Sequence, residues 1–249
     1  MKKILMAIFL FSSQLAEAGI CDRSTIVQKQ IIAATQQNKT CHDITNEDLL
    51  EVQEIKITYD LNYHETYGYN KETGKLKLPS KFSNLKVQDL KGLFNLKYLD
   101  IQFTNITEVT REHFKDLKNL EIMDLSHNLI TKFNEDVFWD LKNVQKIEFD
   151  SNEYFAGVLP EKLFKGLTKL NDIDMDQCNL KTLPSGIFQG LVSLRTVDLA
   201  ENEITSLPIN IFDNLPSLKK VLLNKNPIKT KAKFREHQEA ICYKFCLPS

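Results

Sequence analysis

The chain has almost no net charge: 32 lysines and arginines stand against 33 aspartates and glutamates, leaving −1 over 249 residues. A near-neutral surface has no long-range field to gather nucleic acid or anionic lipid, so neither is an expected partner. Long apolar runs are missing as well. After residue 18 no segment approaches the roughly 18 apolar residues of a membrane span, so none is expected. Also absent are the H-E-x-x-H metal motif, the G-x-S-x-G nucleophile turn, the phosphate loop and the dinucleotide-binding glycine pattern. The five histidines, at 42, 64, 113, 127 and 237, are scattered. These absences point away from an enzyme, and no cofactor or resident metal is implied.

A tandem repeat is what the chain does contain. Residues 194–217 read LRTVDLAENEITSLPINIFDNLPS, and neither helical period nor strand alternation generates those gaps throughout. Leu194 maps onto Leu218 one step later and onto Leu170, Val144, Leu120 and Leu96 going back, at spacings of 24, 24, 26, 24 and 24 residues. A fourth column holds Leu99, Met123, Ile147, Ile173, Val197 and Val221, and a sixth holds Ile101, Leu125, Phe149, Met175, Leu199 and Leu223. The ninth reads Thr104, Asn128, Asn152, Cys178, Asn202 and Asn226, with Ile106, Ile130, Tyr154, Leu180, Ile204 and Ile228 behind it.

These columns resemble the leucine-rich repeat pattern L-x-x-L-x-L-x-x-N/C-x-L. The resemblance implies an α/β repeat solenoid: a curved parallel sheet on the concave side, an irregular or short-helical convex side, and helical caps at both ends. The fourth and sixth columns share one side of a strand and become a continuous inner layer. Phe114, Phe138, Phe164, Phe188 and Phe212 form an aromatic column near the convex side. The ninth-column Asn occupies a buried turn, where its amide both donates and accepts. Cys178 in that column reads as a small buried substitute, without reactive chemistry.

The ends depart from the repeat. Lys2 and Lys3 precede the apolar residues 4–11, and Ala16-Glu17-Ala18 suits a cleavage after Ala18, so residues 1–18 read as a signal peptide and Gly19 as the mature start. Secretion or a periplasmic location follows. Residues 19–51 read as a helical cap, with Ser24 starting one helix and Thr45 with Asp48 starting another. Residues 52–228 hold about eight strands, the first from Val52, Ile55 and Ile57 and the second from Leu76 and Leu78, with residues 59–74 irregular between them. The two extra residues of the repeat that starts at Val144 imply a bulge in which Tyr154 and Phe155 are partly exposed. Residues 229–249 form the closing cap, with Phe234, Ile241 and Phe245 at helical spacing. In an exported chain the outer cysteines are expected oxidised, Cys21 with Cys41. Cys242 and Cys246 are four residues apart, close for a pair, and their bond is left open.

Function is expected on the concave face, where the fifth column reads Asp100, Asp124, Glu148, Asp174, Asp198 and Leu222. Many extracellular repeats carry Asp at this place. The local excess is more specific: Asp150 flanks Glu148, while Asp172 and Asp176 bracket Asp174 on one strand face. Such crowding calls for a compensating cation or a basic partner. The expected partner is a protein with a basic surface, received by a monomeric module. Tyr98, Phe103 and Ile122 supply apolar anchors at one side, Leu222 at the other, and His127 also faces this surface. A carbohydrate or cell-surface ligand, making the chain an adhesin, is the alternative. Calcium is the rival explanation of residues 172–176, but Gln177 and Leu183 replace the Gly and Glu of the helix–loop–helix calcium motif. Paired carboxylates could serve glycoside hydrolysis, yet a flat solenoid lacks the enclosing cleft.

Overall fold

A computed structural model describes residues 20–35, 39–56, 68–70, 75–77, 85–153, 155 and 158–228. The expected signal peptide, the closing cap with Cys242 and Cys246, and Tyr154 lie outside these residues.

Among the described residues, seven strands form one parallel sheet: β1 (Glu54–Lys56), β4 (Tyr98–Asp100), β5 (Ile122–Asp124), β6 (Lys146–Glu148), β7 (Asp172–Asp174), β8 (Thr196–Asp198) and β9 (Lys220–Leu222). Every strand pairs with its neighbours without slip, so Ile55, Leu99, Met123, Ile147, Ile173, Val197 and Val221 stand in one row. All seven are buried, as are the first and sixth columns. Each such aliphatic side chain is worth roughly 1.5–3 kcal/mol when removed from water, and each touches the next repeat, so the stack grows by neighbour contacts alone. The architecture is the expected leucine-rich-repeat solenoid.

Among the described residues the stack has seven strands, where about eight are expected. Residues Lys75–Lys77 (β3) pair antiparallel with Gly68–Asn70 (β2) in a separate two-stranded sheet, and β1 pairs directly with β4. Only four residues separate β2 from β3, too few for the crossover of about a dozen that parallel neighbours need, so these two pair antiparallel.

The ninth column works as a ladder. Asn202 Oδ1 accepts from the backbone N–H of Cys178 and Leu180 at 3.0 and 2.9 Å, while its Nδ2 donates to the carbonyls of Met175, Leu199 and Ala200. Asn128, three repeats earlier, does the same, and Asn152, two repeats earlier, accepts from the Ile130 N–H and donates to the carbonyls of Leu125, Phe149 and Asp150. Cys178 is fully buried and donates to the Phe149 carbonyl at 3.2 Å. Burial raises its thiol to a pKa far above neutral, so it stays a thiol. The aromatic column stacks from Phe114 through Phe138 to Phe164 with ring centroids 6.3 and 6.2 Å apart, and again from Phe188 to Phe212 at 5.8 Å. Contrary to the sequence expectation, Phe155 is buried. It packs on Phe133, which also meets Phe149 edge-on, so the longer repeat turns that ring into the core.

At the N-terminal end, α1 (Thr25–Ala34) and α2 (Asn46–Glu51) sit beside β1, and Val27 and Ile31 are fully buried. Thr45 and Asp48 cap α2 reciprocally. Ser24 caps α1 without a side-chain bond; its N–H donates instead to Asp89 Oδ1 at 2.6 Å. Arg23 lies buried across the same junction and donates to the carbonyls of Asp89 and Lys91 at 2.8 and 2.6 Å. Cys21 and Cys41 are joined by a disulfide, as expected.

Candidate functional site

The sheet face is built by the third, fifth and seventh columns, because side chains at i, i+2 and i+4 leave a strand on one side. The strand register fixes what stands beside what. The third column runs Tyr98, Ile122, Lys146, Asp172, Thr196 and Lys220, and the fifth runs Asp100, Asp124, Glu148, Asp174, Asp198 and Leu222.

The fifth column is largely committed to the protein's own turns. Asp124, Asp174 and Asp198 each accept a hydrogen bond from the backbone N–H two residues on, at 2.9, 3.2 and 2.9 Å. An Asp side chain reaching its own i+2 amide is a turn-forming contact. Asp100 and Asp124 are buried, and Asp100 takes a bond from Gln102 Nε2 at 3.1 Å. Glu148 is one carbon longer and breaks the rule: it pairs with Lys146 at 2.7 Å. Lys146 was not foreseen in the site. Its alternation with Glu148 signals a shared face, but the ion pair is visible only in three dimensions.

The seventh column carries the excess charge. Asp150, Asp174 and Asp176 bring carboxylate oxygens within 4.8 Å of one another, and Asp198 stands beside Asp174 on the next strand. Burial, reinforced by Asp198, Asp150 and Asp176, pushes the Asp174 carboxyl up to about 7. Burial also raises Asp198, with Asp176 adding to it, and raises Glu148 against the pull of Lys146. Asp172 stands apart from this group. It is the register partner of Lys146 and so lies beside a cation. Three oxygen donors that close could hold a divalent cation. Cys21, Cys41 and His42 also converge, but the two sulfurs are bonded to each other and are no ligands.

The eighth column frames one rim. Phe103, His127, Ser151, Gln177, Glu201 and Lys225 all adopt positive φ, from 51 to 58°. Such geometry costs about 1 kcal/mol or more in a non-glycine residue, offset here by cross-repeat backbone bonds such as His127 N–H to Asp150 O at 3.0 Å. The bend lays the rings of Phe103 and His127 flat on each other, with centroids 4.2 Å apart, and sets His127 Nε2 3.8 Å from Asp150. Tyr98 and Ile122 are adjacent in the third column, and Lys56 Nζ lies 5.2 Å from the Tyr98 ring centroid. Leu222 is not brought to these anchors, since it lies four strands beyond Ile122.

A stack of in-register parallel strands with an inner aliphatic layer and an asparagine ladder defines a repeat solenoid. The fold is a leucine-rich-repeat solenoid, and the leucine-rich repeat family model matches residues 94–153 and 168–228, with the break between them falling across the longer repeat. No curated protein matches the sequence.

Proposed function

We propose that this protein is an exported binding module whose sheet face receives a basic surface of another protein. Leucine-rich repeat solenoids commonly bind proteins and typically do no chemistry. The observation that carries the reading is the group Asp150, Asp174 and Asp176, gathered within 4.8 Å with no lysine or arginine among the described residues paired to any of them. Like charges at this separation repel and gain from an incoming cation, and an arginine fork matches such carboxylates with two bonds at once. The Phe103–His127 stack, Tyr98 and Ile122 lie on one side and supply the aromatic and aliphatic contact that interface centres favour. Export is supported by the Cys21–Cys41 disulfide, which persists in oxidising compartments, and no helix among the described residues is long and apolar enough to cross a membrane. With a mature start at Gly19, the module is secreted or periplasmic and acts as a monomer.

The test is a triple charge reversal, Asp150→Lys with Asp174→Lys and Asp176→Lys, against a control reversal of the exposed Glu135 and Glu161 on the return segments. In a pull-down from the protein's native surroundings the sheet-face set is expected to lose the wild-type partner and the control to keep it, with circular dichroism unchanged in both. A partner retained equally by both variants would show that this face is not the one used.

A further inference from the structure

We propose a second ligand site on the flank of the solenoid, a furrow that binds an extended acidic polysaccharide. Two hollows of about 430 and about 250 Å³ share Gln145 and Lys169 and so form one furrow at the end of the sheet where the chain enters each strand. It runs from Gln53 to Ser217, alongside all seven strands, and shares no lining residue with the group Asp150, Asp174 and Asp176.

The furrow has a fixed floor. Asn119 donates to the carbonyl of Phe94 and to Asn95 Oδ1 at 3.0 and 3.3 Å, Asn95 donates to the Leu50 carbonyl at 2.9 Å, and Asn143 to that of Lys118 at 2.8 Å. Lys169 Nζ closes the row on Asn143 Oδ1 at 2.6 Å. The second row is free. The side chains of Gln53, Gln145, Asn171 and Arg195 make no hydrogen bond or ion pair among the described residues, although each lines the furrow.

The chemistry of these rows selects the occupant. No apolar side chain lines either hollow, which removes the aliphatic and aromatic contact that a lipid or a peptide core would need. Side-chain amides offer donors and acceptors together and so match hydroxyl groups, which have the same double character. Their rows repeat at the strand spacing of about 4.8 Å, comparable to the advance per ring along an extended glycan. Charge decides between neutral and acidic sugars. Lys97 is held by Glu121 at 3.5 Å, leaving Lys169 and Arg195 as surplus cations toward one end. Two cations are too few for a nucleic-acid backbone, but they suit spaced carboxylates, with the Arg195 guanidinium forking one of them.

The test is calorimetric titration of the full mature chain with oligogalacturonate, hyaluronan and alginate oligosaccharides, alongside neutral cello-oligosaccharide and poly-glutamate. At least one uronate oligomer is expected to bind, tenfold or more weaker in the Lys169→Ala, Arg195→Ala pair and several-fold weaker in the Gln145→Ala, Asn171→Ala pair. All these positions are partly or fully exposed, so the variants are expected to fold. The triple reversal on the sheet face is expected to leave this binding unchanged, which separates the two sites. Absence of binding by every uronate oligomer, indifference to both furrow pairs, or equal affinity for poly-glutamate would each overturn the proposal, the last by making the furrow a site for acidic peptides.

Discussion

The acid group on the sheet face makes a stability prediction with a definite sign. In the folded chain Asp174 is pushed up to about 7 by burial and by Asp198, Asp150 and Asp176, against about 3.9 in an unfolded chain. The folded state therefore holds more protons between those values, and stability falls as pH rises through that window. Three units would be about 4 kcal/mol for a fully enclosed group. Asp174 is only half-buried, and solvent screening reduces that to about 1–2 kcal/mol. Asp174→Asn removes the charge but keeps an oxygen to accept the Asp176 N–H. Its gain over wild type is expected to be near zero at pH 4 and about 1–2 kcal/mol at pH 8, or roughly 2–8 °C in Tm for a chain of this size. Thermal unfolding followed by circular dichroism in chelator, at both pH values, measures it. A gain of the same size at pH 4 and pH 8, or none at pH 8, would refute the electrostatic account. Calcium raising wild-type Tm at pH 8 but not that of Asp174→Asn would identify a cation as the compensating charge.

Two further outcomes concern the scaffold. Asn202→Leu strips two backbone N–H groups and three carbonyls of their side-chain partner, and is expected to cost about 1–3 kcal/mol in urea unfolding; an unchanged midpoint would dispose of the ladder argument. Arg23→Met unties α1 from the carbonyls of Asp89 and Lys91. Because repeats touch only their neighbours, amide exchange is expected to quicken across α1 and β1 and to stay unchanged in β7 and β8, and uniform acceleration along the chain would contradict that locality.

A repeated unit makes its own register legible. Once Leu194 and Leu218 are aligned, the side of every residue in the columns follows from a period of two within strands, and the buried rows, the asparagine ladder and the acid-lined face come with it. What escapes is whatever depends on a partner rather than on a column. Leu76 alternates as a strand should, but alternation says nothing of the neighbour, and only the short connection from Asn70 makes β3 antiparallel. Phe155 sits in an insertion where no column guides it, and its burial is decided by Phe133 across the return segment. Asp172 and Asp174 look alike in sequence, yet one stands beside Lys146 and the other among carboxylates. The same distinction divides the acid column itself. Asp124, Asp174 and Asp198 are bound to their own backbone turns, so their recurrence has a folding cause. Asp150 and Asp176 carry no such bond from their own i+2 amide among the described residues. The proposed recognition therefore falls chiefly on the seventh column, where Asp150 faces His127 and Asp176 accepts from the Gln177 side-chain amide but neither holds a turn through its i+2 amide.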